Sequence, residues 1–191
     1  MSQANVKVEE FVRAMDTIAD RRAETPASDT DRVIRVRGEL SIARIFPGGE
    51  KELLVEKSNL IVNQGFTILA YVWGGPSTPE SYATLQPGKI GVGTSLVAAD
   101  VNQTDLQGAI AGARFAFTGK SFLGTPVNGV QFDMLIPQTE PLTLGADLKE
   151  AGLFSVNSAS TSGMIARQVH TTITKTSAFQ LLYSWKFTFT V

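Results

Sequence analysis

The sequence predicts an all-β domain, a β-sandwich or jelly-roll-like antiparallel fold with an N-terminal amphipathic helix and one short internal helix. Three observations predict it. From Val33 onward apolar and polar residues alternate with a period of two. Turn formers such as Pro47-Gly48-Gly49 separate short runs at strand spacing. In the last run, Phe179, Leu181, Tyr183, Trp185, Phe187, Phe189 and Val191 share one face. Gln180, Ser184, Lys186, Thr188 and Thr190 hold the other. Such a strand belongs at the centre of a sheet, with its aromatic face buried.

Before the alternation begins, Val8, Phe11, Val12, Met15 and Ile18 recur at helical spacing, with Glu9, Glu10, Arg13, Asp16 and Asp20 between them. This pattern predicts an amphipathic helix over residues 5–22. Asp20 to Asp31 is polar and contains Pro26, a linker composition. The chain therefore divides into a helix and linker arm at 1–31 and a β-domain at 32–191. An isolated helix of this length is marginal in water, so its apolar stripe must be covered by protein. The expected cover is a neighbouring subunit, which makes Val8, Phe11, Val12, Met15 and Ile18 the candidate partner-binding residues.

Within the β-domain, Ile34, Val36, Leu40, Ile42 and Phe46 line one face of a first strand, with Leu53 to Val55 starting its return partner. A short helix is expected from Asn63, stopped by Gly74-Gly75-Pro76. Residues 74–88 read as a loop. Further strands are expected near 89–94, 113–118, 128–136, 148–156, 163–175 and 178–191.

Composition narrows the function. Lys plus Arg total 17 and Asp plus Glu 18, so net charge gives no basis for binding nucleic acid. Charged residues are 18% of the chain, below the roughly 25% of ordinary domains, a surface that favours protein contact. There is no cysteine, which removes disulfides and thiolate ligands and fits assembly in a reducing cytoplasm. Met1 to Val8 has no apolar core flanked by positive charge, so no signal peptide is expected. No run approaches the roughly 18 apolar residues of a membrane span.

No catalytic constellation emerges. The only histidine, His170, falls opposite Ile165, Val169 and Ile173 on its strand, so a partly exposed strand histidine is expected. One histidine without cysteine argues against zinc, and no nucleophile elbow surrounds any serine. Lys89-Ile90-Gly91-Val92-Gly93-Thr94 lacks the features of a phosphate loop and reads as a strand with close backbone approach or a bulge. The carboxylate pairs Asp100 with Asp105 and Glu140 with Asp147 fall in expected loops, and Asp100, Asn102 and Asp105 supply only part of the alternating Asp or Asn set of a calcium loop, which leaves weak calcium binding at 98–106 open. Arg32, Arg35, Arg37 and Arg44 lack the interleaved aromatics of a single-strand binder. The expectation is a non-enzymatic protein with no cofactor and no metal, and with no nucleic-acid or membrane partner.

Five segments carry a resemblance. They are Asn59-Leu60-Ile61-Val62-Asn63-Gln64-Gly65; Ile90-Gly91-Val92-Gly93-Thr94 with Asp100 and Leu106; Glu150-Ala151-Gly152-Leu153-Phe154; Met164-Ile165-Ala166-Arg167; and Ile173-Thr174-Lys175-Thr176 leading into Tyr183-Ser184-Trp185-Lys186-Phe187-Thr188-Phe189. In that order, over residues 55 to 191, they resemble β-rich structural proteins of tailed bacteriophage virions, the fibre, baseplate and head-decoration β-sandwiches. The resemblance implies a homo-oligomeric capsid decoration or cement subunit of the virion, assembled in the host cytoplasm against major capsid or tail proteins. A tail, collar, fibre or baseplate component is the alternative within that class, and a carbohydrate-binding adhesion module the alternative outside it. The resemblance implies no catalytic residues, and residues 1–45 lie outside it.

Overall fold

The computed structural model describes residues 35–74, 85–156 and 163–190. The expected helix at 5–22, its five stripe residues and the linker lie outside the described residues. So do Arg32 and residues 75–84.

The described chain is mostly β, with two five-stranded antiparallel sheets and one short helix. Its strands are β1 (Arg35–Ile45), β2 (Lys51–Ser58), β3 (Leu60–Ile61), β4 (Pro87–Gly93), β5 (Ala109–Ala116), β6 (Gly119–Leu123), β7 (Gly129–Ile136), β8 (Asp147–Ser155), β9 (Met164–Thr174) and β10 (Gln180–Thr190). The helix, α1, spans Asn63–Gly74. The first sheet has the order β2-β1-β10-β7-β6 and the second β3-β9-β8-β4-β5.

Alternation in β10 decides the first sheet. β10 pairs with β1 along its full length, from Thr190 opposite Arg35 to Gln180 opposite Ile45, and with β7 on its other side. It is the central strand, as the sequence predicts. The registers line up Leu40, Trp185 and Phe132 in one row and Ile42, Tyr183 and Met134 in the next. Every one of these six side chains is buried. They share a single core with Ile90, Leu148, Ala151 and Leu153 of the second sheet. Cross-strand rows of this kind are the unit of sheet stability.

Two elements are shorter than sequence patterns resolve. β3 has two residues, paired with Arg167 and Ala166 of β9. β6 is an edge strand whose residues are mostly exposed, so no alternation marks it. The helix begins at Asn63 and ends at Gly74, where the sequence places both ends. It lies against β9, and Gly65 makes this approach possible. A Cβ at that position would collide with the Ile165 carbonyl oxygen.

We expect Trp185→Ala to destabilise the protein by about 3–5 kcal/mol, because a fully buried indole leaves a large cavity. Urea denaturation measures it. A loss under about 1 kcal/mol would mean that the row of Leu40, Trp185 and Phe132 is not the core.

Candidate functional site

The second sheet carries a pair of charges where its strand pattern calls for apolar side chains. Glu150 on β8 and Arg167 on β9 have no solvent exposure. Arg167 Nε and Nη2 both donate to Glu150 Oε2, at 2.9 and 2.7 Å. Ions taken out of water are tolerated only when their remaining groups are hydrogen-bonded. Here the connection between β4 and β5, residues 94–108, supplies the partners. Arg167 donates from Nη1 to Gln103 Oε1 (2.8 Å) and from Nη2 to the Val97 carbonyl (2.8 Å). Glu150 accepts from the backbone N–H groups of Gly108 (2.6 Å), Gln107 (3.1 Å) and Ser95 (3.4 Å).

The loop is thus held from beneath at both ends and in the middle. A second apolar cluster of Val62, Leu106, Phe154 and Met164 adds to the hold. Gly91 and Gly152 leave room for it, since a Cβ on either would sit 2.8 Å from the Phe154 ring. Within the loop, Asp100 Oδ1 accepts from the Asn102 N–H (2.8 Å), and Gln103 Nε2 donates to the Ala98 carbonyl (3.1 Å). The start of α1 joins it, with the Asn63 N–H donating to the Val101 carbonyl (2.8 Å). The loop displays Leu96 and Val97, 61% and 56% exposed, together with the partly exposed Val101, while Phe66 is exposed on the first turn of α1. Apolar side chains on a fixed backbone lose little freedom when something covers them.

The other sequence candidates have structural work. Asp105 pairs with Arg114 at 2.6 Å. Asp147 accepts from Thr174 Oγ1, and Glu140 accepts from the Leu142 N–H. Arg37 pairs with Glu39, and Arg44 with Glu52. Lys89 to Thr94 forms β4 and its exit, with a register irregularity between Gly91 and Gly93, in agreement with the strand-and-bulge reading. No group of three or more His, Cys, Asp or Glu is placed to hold a metal ion among the described residues. No described helix is long and apolar enough to cross a membrane.

His170 corrects the expectation. It is buried, 2% exposed, with its ring 6.3 Å from that of Tyr183 and Nδ1 2.8 Å from the Thr171 carbonyl. Simple alternation fails because the β8–β9 pairing slips twice, between Leu148 and Glu150 and between Leu153 and Phe154. Each slip changes the side to which the following residues turn. Val169 becomes the partner of Glu150, and His170 joins the core. Lys175, also buried, is held by the carbonyls of Thr176 (2.6 Å), Phe179 (3.0 Å) and Gln138 (3.1 Å).

Glu150 and Arg167 were not singled out from the sequence as a pair. The available signal is a charge inside each of two apolar strand segments, Glu150-Ala151-Gly152-Leu153-Phe154 and Met164-Ile165-Ala166-Arg167. Compared with known proteins, the chain matches no family, no curated protein and no solved structure.

We expect Arg167→Met to cost about 3–5 kcal/mol, because it leaves Glu150 charged and buried. Hydrogen exchange should speed up at Gln107 and Gly108 as the loop loosens. Arg167→Met with Glu150→Gln should recover much of the loss in chemical denaturation, and equal destabilisation of the single and double variants would refute the pairing. Burial also holds the His170 pKa below its ordinary 6.5. The unfolded chain then binds the extra proton first, so this stability is full above about pH 6.5 and falls as pH drops through it. Melting curves from about pH 8 to 5 should show a steeper acid loss for the native protein than for His170→Phe.

Proposed function

We propose that this chain is a virion structural protein of a tailed phage, a capsid decoration or cement subunit that works through protein–protein contacts. Its two sheets are read as a β-sandwich and its N-terminal helix as an attachment arm. The observation that carries the proposal is the apolar display of Leu96, Val97 and Val101 on a loop secured by buried charges. A cement subunit gains from many modest contacts repeated by symmetry, so it needs a firm apolar surface more than a pocket.

The segments that carry the phage resemblance support the reading. Asn59–Gly65 forms β3 and the start of α1, Ile90–Gly93 lies in β4, Glu150–Phe154 in β8 and Met164–Arg167 in β9. Asp100 and Leu106 lie in the loop. Four separate stretches therefore meet in one sheet around Arg167 and build one platform. The partners proposed are further copies of this chain and a major capsid or tail protein of the same particle.

Replacing Leu96 and Val97 together by Asp tests the proposal. Both side chains are exposed, so the circular dichroism spectrum and melting temperature should hardly change. Co-sedimentation with particles should fall at least about tenfold, the effect of losing roughly 1.4 kcal/mol of contact. Unchanged occupancy of the particle by the folded variant would overturn the docking surface.

A further inference from the structure

The two described sheets end in four edge strands, β2, β6, β3 and β5, and three of these carry features that block pairing with another chain. β2 holds Lys51, Glu52, Glu56 and Lys57, and its register against β1 shifts between Ile42 and Ala43. β3 has only two residues. β5 breaks its register against β4 between Gly91 and Gly93, and its chain turns at Gly112, where φ is 77°. Charge, shortness and bulges are ordinary means of protecting a sheet edge.

β6 differs. Its five residues pair with β7 in unbroken register, from Gly119 opposite Asp133 to Leu123 opposite Gly129. No described strand lies on its other side. Lys120, Ser121 and Phe122 are exposed in succession, Phe122 to 67%. An edge of this kind presents backbone N–H and C=O groups that a further strand can satisfy.

We infer that β6 pairs antiparallel with β6 of a second copy about a two-fold axis at Ser121, an inference that rests on the assembly reading above, in which copies of this chain are partners. The two five-stranded sheets would then run on as one. Self-complementarity of the strand selects a second copy. Residues opposed across an antiparallel pair share a face, so the axis must pass through a residue rather than between two. An axis at Lys120 sets two ammonium groups opposite each other, which is destabilising. An axis at Phe122 leaves Gly119 and Lys120 outside the paired strand. Only the axis at Ser121 uses the whole of Gly119–Leu123.

In that register Lys120 lies opposite Phe122 of the second copy, and Phe122 opposite its Lys120. The Lys120 ammonium already sits 5.7 Å from the Phe122 ring of its own chain, and the pairing repeats that attraction twice across the axis. On the other face Leu123 meets Gly119, the residue with no side chain to oppose it, and the two Ser121 hydroxyls meet each other. The single charge of the strand thus excludes one register and supports another.

The chain has no cysteine, so Ser121→Cys alone tests the axis. Directly opposed residues lie about 4.5–5.5 Å apart at Cα, within reach of a disulfide. Diamide oxidation of the purified full-length variant should give a disulfide-linked dimer on non-reducing gels, and Glu56→Cys on the protected β2 edge should not. Adding Phe122→Lys to Ser121→Cys places like charges opposite each other and should reduce the dimer at least about tenfold. Adding Lys120→Glu as well turns that repulsion into an opposite-charge pair and should restore it, with an unchanged circular dichroism spectrum throughout.

A monomeric Ser121→Cys, or equal dimer from Glu56→Cys, would overturn the inference. Failure of Lys120→Glu to restore the dimer in a folded chain would overturn the register. Co-sedimentation of the variant with Leu96 and Val97 replaced by Asp is scored separately. If that variant loses particles while Ser121→Cys stays monomeric, the assembly reading stands and the β6 pairing alone falls. If Ser121→Cys dimerises while that variant keeps its place on particles, the loop docking surface falls and the β6 pairing stands.

Discussion

A guanidinium that never meets water must have its N–H groups placed by the protein, and Arg167 imposes that requirement on everything around it. Its neighbour in β8 has to be an acid, and Glu150 meets that need at 2.7–2.9 Å. The remaining donors need acceptors that no adjacent strand offers, so the β4–β5 connection comes down over the sheet to provide Gln103 and the Val97 carbonyl. The acid in turn draws three backbone N–H groups from the same connection. A long loop that would otherwise be free to move is held in one arrangement. The pair fixes the position of the loop, because each of the two charges is satisfied only with the loop's own backbone and side-chain groups in place.

The glycines follow from the same requirement. Gly91 and Gly152 clear the space in which Phe154 and Leu106 lie under the loop, and Gly65 lets α1 approach β9 next to Ile165. Side chains at these points would push apart the layers that the charge pair draws together. The two faces of the second sheet thus do different work. One contributes Leu148, Ala151 and Leu153 to the shared core, and the other carries the charges and the loop.

The proposed role depends on this division. The shared core joins the two sheets, and the outer face holds the apolar side chains of the loop in place.

By itself, the sequence determined the all-β character, the central place of β10 and both ends of α1. Each follows from local pattern: a period of two that must bury one face, and a helix bounded by Asn63 and Gly74. Tertiary structure alone decided the rest. β6 has no pattern because an exposed edge strand buries no face, and β3 is too short for one to form. His170 enters the core because two slips in the β8–β9 pairing change which side each residue takes, and pairing with a distant strand leaves no mark in local periodicity. Glu150 and Arg167 lie 17 residues apart in the chain and bond to a loop more than 40 residues from Glu150. Their charges are legible in the sequence, but their burial exists only once β8, β9 and the loop are brought together.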